Sequence, residues 1–130
     1  MSLQIRIDPP AGGTQHVALS GRLDTDTFGE LDARLAPVLA APALRSLVLD
    51  FAGVEYISSA GVRSIFKARK ALAPRNGKVL VVNPQPQIQK VFDIVKAVPL
   101  NEIFTSVAEA DAYLDVMQRR VAQGDDVDDP

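Results

Sequence analysis

The chain has 130 residues, a formal net charge of −2, one histidine and no cysteine. Disulfides, thiol nucleophiles and thiolate metal sites are therefore excluded, and any histidine-based metal centre or Ser-His-Asp triad would rest on His16 alone. With 47% hydrophobic and 23% charged residues, this is an ordinary globular composition, and its length fits one domain.

The opening MSLQIRIDPP lacks a basic start followed by an apolar block, so no signal peptide is expected. The longest nearly apolar stretch, Leu35 to Leu44, is far shorter than the ~20 residues of a membrane helix, and Pro37 and Pro42 interrupt it. The expectation is a cytoplasmic protein without membrane insertion. Asp125, Asp126, Asp128 and Asp129 concentrate negative charge at the end, so 122–130 reads as an acidic, disordered tail after a domain spanning 1–121. The rest is nearly neutral and has no basic-aromatic stripe, which argues against direct nucleic-acid binding.

In chain order, Leu3, Ile5 and Ile7 alternate with polar residues as in a half-buried strand. PPAGG turns the chain, and Val17 and Leu19 alternate again, predicting an antiparallel hairpin. From Thr27 the period becomes helical through Phe28, Leu31, Leu35 and Val38. Thr27 with Glu30 fits a capping box, and Pro37 is expected to kink or end that helix. The run Ser46 to Phe51 reads as a strand covered on both faces, and a loop leads from it to the next helix. That helix, Gly61 to Ala73, would bury Val62, Ile65, Phe66 and Leu72. Lys78 to Val82 predicts another buried strand, and Ile88, Val91, Phe92 and Val95 a further helix. Glu102 to Phe104 reads as a short last strand. A final helix follows, with Ser106 and Glu109 as its capping box and Val107, Ala110, Leu114 and Met117 buried. Strands alternating with helices predict an α/β fold, with a mixed sheet of four to five strands and helices mainly on one face.

Several chemistries fail on spacing. Ile57 stands where the nucleophile elbow G-x-S-x-G needs its first glycine relative to Ser59. The segment from Asp24 to Glu30 imitates a calcium loop. However, Phe28 occupies its fifth position, and Leu35 stands where the bidentate glutamate belongs. Asn76 to Lys78 lacks the earlier glycine of a phosphate loop. No enzyme activity, metal or cofactor is expected.

The informative stretch is YISSAGVRSIF, Tyr56 to Phe66. Two readings of its serines stand side by side: a plain helix N-cap, and a hydroxyl presented to another protein. A phosphate there would carry −1.5 to −2 charges (roughly) and meet the positive end of a helix, so the fold would tolerate it. Arg63, one turn along, is placed to pair with it. Arg63, Lys67 and Lys70 make a basic stripe, either a solvated face or a surface that steers an acidic partner. Gly61 turns tightly into the helix and would let a partner approach closely.

LVLDFAGVEYISSAGVRSIFKA resembles the signature of STAS domains, which include bacterial anti-sigma factor antagonists. GRLDTDTFGEL and KVLVVNPQPQIQKVFDI correspond to that family's turn into its first helix and to its strand, Asn-Pro turn and third helix. The resemblance implies a single STAS-like domain acting as partner and substrate of an anti-sigma factor with serine kinase activity, with a serine phosphatase resetting the cycle. Ser59 would be the phosphoacceptor and Ser58 the fallback. Asp24, Ser58, Ser59, Ala60, Gly61, Arg63, Lys67 and Lys70 would bind the partner. This chain has Ser58 and Ala60 on either side of Ser59 where the family pattern has aspartate and serine or threonine, so it lacks the charge beside the acceptor. The resemblance also admits a phosphate-independent subunit of a lipid transporter, or a nucleotide-sensing module.

Overall fold

The computed structural model describes residues 3–97 and 106–124. Its element order is β1 (Leu3–Ile7), β2 (Thr14–Leu23), α1 (Phe28–Ala40), β3 (Ser46–Ile57), α2 (Ser59–Leu72), β4 (Lys78–Val82), α3 (Pro86–Ala97) and α4 (Val107–Ala122). The four strands form one mixed sheet in the order β1-β2-β3-β4. β1 and β2 make the antiparallel hairpin that their alternation predicts, while β2–β3 and β3–β4 are parallel. This is the α/β architecture expected from the sequence. Glu102 to Phe104, read as a fifth strand, lies outside the described residues, as does most of the acidic tail. α4 runs through Ala122, one residue past the boundary placed at 121.

β3 differs most from expectation. Its apolar run does not end at Phe51, and the predicted loop through Ala52–Ile57 is strand, paired with β2 as far as Leu23↔Ile57. Two register shifts against β2 each place an extra residue in β3. The inward positions therefore step from Phe51 to Val54 and then to Ile57, all fully buried. A bulge keeps side chains facing the core while breaking the period of two, so a strict alternation test stops too early. The outward positions of β3 are only partly covered, because the helices lie against one face. The sequence predicts a buried β4, but among the described residues it is the edge strand, with Leu80 46% exposed.

The core joins the inward faces of the sheet to the helices through Leu19, Leu47, Leu49, Phe51, Leu31, Leu35, Ile65, Leu72, Ile88 and Leu114. Pro37 does not end α1, which continues to Ala40. Leu35 is buried, and Val38 and Leu39 pack against the core, so burial outweighs the lost backbone bond. No cation stands in the last turn of α1; Arg75 supplies one from the turn after α2, donating to Ala41 O at 2.7 Å and Leu39 O at 3.0 Å. The Thr27–Glu30 capping box does not form in the expected way. Thr27 precedes α1 without a side-chain cap; its hydroxyl donates to Arg22 O at 2.8 Å and accepts from Asp24 N at 2.9 Å. Ser106 does cap α4, accepting from Glu109 N at 3.1 Å.

No helix among the described residues is long and apolar enough to cross a membrane.

Candidate functional site

Parallel strands bring their carboxyl ends to one edge of the sheet, where ligand and partner sites of α/β folds collect. Here β2 ends at Leu23 and β3 at Ile57, paired side by side. Asp24 follows the first and Ser58 the second. Ser58 N donates to Leu23 O at 2.9 Å, tying the two strand ends together.

Ser58 is the N-cap of α2: its backbone is extended, and its Oγ accepts from Gly61 N at 3.4 Å. Its carbonyl accepts from Val62 N at 3.0 Å, the first helical bond. Ser59 is thus the first residue inside the helix. The capping reading of the sequence is correct for Ser58.

The expected exposure of the two hydroxyls is not. Ser58 is 2% and Ser59 6% exposed, and Ser59 Oγ is buried without a hydrogen-bond partner. The cover is α4. Ser59 N donates to Asp111 Oδ1 at 2.9 Å. One end of β3 is held likewise: Gln118 Oε1 accepts from Ile57 N at 3.0 Å, and its Nε2 donates to Ile57 O at 2.7 Å. α2 has no acid in its own first turn, so Asp111 brings the anion its positive end favours.

Sequence reasoning missed Asp111 and Gln118 as site residues. The signal was present but ambiguous: they lie seven apart and flank Leu114 on the buried stripe of α4. Polar residues beside an apolar stripe usually face water, and only the neighbouring strand end shows that these two turn inward.

The other expected partner residues divide. Ala60, Arg63, Lys67 and Lys70 come together with Phe28 and Asp32 around a cleft of about 440 Å³ between α1 and α2. Arg63, Lys67 and Lys70 are exposed as expected, and Lys67 pairs with Asp32 at 3.6 Å. A surface pair of this kind contributes little to stability, so these charges remain available for a partner. A larger groove of about 760 Å³ lies toward the other end of α2, against β4 and α3. It is remote from the serines and shares Phe66 and Lys70 with the first cleft. Gly61 is buried, and a side chain there would meet Leu23 and Ile57. Asp24 builds its own turn, accepting from Asp26 N at 3.0 Å and Arg22 Nε at 3.3 Å. That turn accounts for the residues that imitate a calcium loop.

Beside the site, the Arg22 guanidinium stacks 4.1 Å from the Tyr56 ring centre. Burial raises the Tyr56 pKa above its ordinary 10.0, and the nearby Asp115 and Asp111 carboxylates raise it further. The folded state thus holds the phenol proton more tightly than the unfolded chain. The associated stability is complete below pH 10.0 and is lost as pH rises through the higher folded value. Ultraviolet titration of phenolate absorbance, with Tyr56→Phe to identify the signal, is expected to show Tyr56 ionising above its ordinary range. Asp115→Asn should move it back down. A Tyr56 value at or below the ordinary one would contradict this placement of α4.

A serine-capped helix leaving the carboxyl end of a parallel strand, in a mixed sheet backed by helices on one face, is the frame of a STAS domain. The chain belongs to the STAS domain family, whose model matches residues 9–110. It is 32% identical over 76 residues to "Putative anti-sigma factor antagonist BtrV" of Bordetella bronchiseptica, covering 58% of this chain and 65% of that protein. The chain thus spans slightly less than two thirds of the curated relatives it matches. In fold it is similar to the unphosphorylated anti-sigma factor antagonist SpoIIAA, with a TM-score of 0.60 at 21% identity, covering 69% of this chain and 82% of that one. The phosphorylated form of SpoIIAA from Bacillus also gives 0.60 at 21% identity, over 70% of this chain and 82% of that one.

Proposed function

We propose that this protein is an anti-sigma factor antagonist in a partner-switching pathway. It binds a cognate anti-sigma factor that is also a serine kinase, and Ser59 is the phosphoacceptor, with Ser58 as the fallback. A serine phosphatase reverses the modification. The protein serves as partner and substrate, not as catalyst, and acts in the cytoplasm.

The observation that carries this reading is the Ser58–Gly61 turn at the α2 N-terminus, adjoining a cationic cleft, in a chain whose named relatives are antagonists. The physics of the switch is local. A partner seated on the cleft lies beside the neutral serine end of α2, next to Ala60 and Arg63. A phosphate there imposes about −1.5 to −2 charges that the partner must desolvate. Arg63, one turn further along α2, is placed to pair with that charge from the protein's own side. Binding is lost while the sheet stays as it is.

The test is to incubate the protein with the candidate kinase and ATP, map phosphate by mass spectrometry, and measure complex formation. Ser59→Ala is expected to bind and to take up no phosphate at that position, whereas Ser59→Asp should bind at least ~10-fold more weakly, the scale of one unfavourable buried charge. Equal binding by both variants, with no phosphate on either serine, would refute the switch.

A further inference from the structure

The burial of Ser59 conflicts with its proposed role, since a kinase cannot reach a buried hydroxyl. We propose that α4 is a displaceable cap over the acceptor loop. In it, Asp111 occupies the anion position at the α2 N-terminus that a phosphate on Ser59 would take. This inference rests on the reading of Ser59 as the acceptor and adds the regulation of that site.

Three observations carry it. Asp111 accepts the Ser59 N–H at 2.9 Å, which is the backbone donor nearest any phosphate on that residue. Ser59 Oγ has no hydrogen-bond partner although it is buried. A buried hydroxyl without a bond costs free energy while the cap is closed, and opening to water recovers it. Finally, among the described residues α4 bonds this turn through Asp111 on Ser59 and Gln118 on Ile57, while Ala110, Leu114 and Met117 anchor it in the core and its broadest packing is on α3. The family match ends at residue 110, so Asp111 and Gln118 lie beyond it.

The two anions exclude each other. The available first-turn donors are few, because Gly61 N already serves Ser58 and Val62 N the helix itself. A phosphate on Ser59 would stand against the Asp111 carboxylate, and like charges at that distance repel strongly in a partly buried site. Phosphorylation therefore requires the cap to be open and then keeps it open. A kinase acts only on the open population, so anything that holds α4 away speeds phosphate addition.

Hydrogen–deuterium exchange on the full chain tests this without a kinase. The Ser59 amide, which Asp111 holds, and those of α4 are expected to exchange together and faster than those of β2 and β3. Asp111→Asn and Gln118→Ala should each speed Ser59 and α4 by about tenfold, the scale of one charged or buried hydrogen bond, and leave β2 and β3 unchanged except at Ile57, whose N–H Gln118 holds. Ser59→Asp should do the same by competing with Asp111. If α4 exchanges as slowly as β3 in all four proteins, or opens while the Ser59 amide stays protected, the cap is overturned. A parallel arm supplies the candidate kinase and ATP, and phosphate on Ser59 should appear faster in Asp111→Asn. An opened cap with no phosphate on Ser59 in any variant removes the acceptor reading and with it the phosphate's claim to the anion position. The exchange data alone decide whether α4 opens.

Discussion

Gly61→Ala is expected to destabilise the fold by about 2–4 kcal/mol, enough to lower Tm by roughly 10 °C in a domain of this size. A methyl group at this position would stand 2.8 Å from Leu23 O, Leu23 Cγ and Ile57 Cγ1. Both residues are fully buried, so neither side chain can swing into solvent. The third obstacle is backbone, and that same carbonyl accepts the Ser58 N–H at 2.9 Å. Relief of the clash must therefore move the end of β2, the serine turn or the axis of α2. Alanine's better helix propensity, worth about 1 kcal/mol, offsets only part of this. Gly29→Ala is the control: nothing lies within 4 Å of its added methyl, so it should be neutral or slightly stabilising. Thermal melts of both variants check the pair. A Gly61→Ala protein melting with the wild type would mean that the packing around α2 is looser than these distances show.

Phe51→Ala should cost about 3–5 kcal/mol, the range for deleting a fully buried aromatic ring. Phe51 is completely buried on the inward face of β3, and its ring meets Phe92 of α3 with centroids 5.9 Å apart and planes tilted by 59°. The loss removes transfer free energy, an aromatic contact and the wedge that seats α3 on the sheet. Urea unfolding should show a lower midpoint with an unchanged slope, as expected if stability but not the surface exposed on unfolding has changed. Phe51→Leu should recover more than half of the deficit by refilling the cavity. If alanine and leucine behave alike, shape at this position does not matter and α3 is seated by other contacts.

These variants separate two roles of the same loop. Gly61→Ala disturbs the serine turn because it disturbs the core, whereas Asp111→Asn loosens the cap without adding an atom to the interior. Partner binding weakened by the first and not by the second would locate the docking determinants in α2.

Local chemistry determined much of this protein by itself. The hairpin, the order of strands and helices, the Ser58 and Ser106 caps and the exposed Arg63, Lys67 and Lys70 follow from residue spacing within a dozen positions. Such features depend on neighbours along the chain, and a pattern of period two or 3.6 records them. Tertiary structure decided three things that no such pattern holds. The two extra residues of β3 reveal themselves only against β2. Arg75 caps a helix that ends 35 residues earlier, at Ala40, because a turn folds back onto it. The N–H of the buried Ser59 finds its acceptor 52 positions away, at Asp111. Whether a hydroxyl faces water is a property of what packs around it, which no local pattern records.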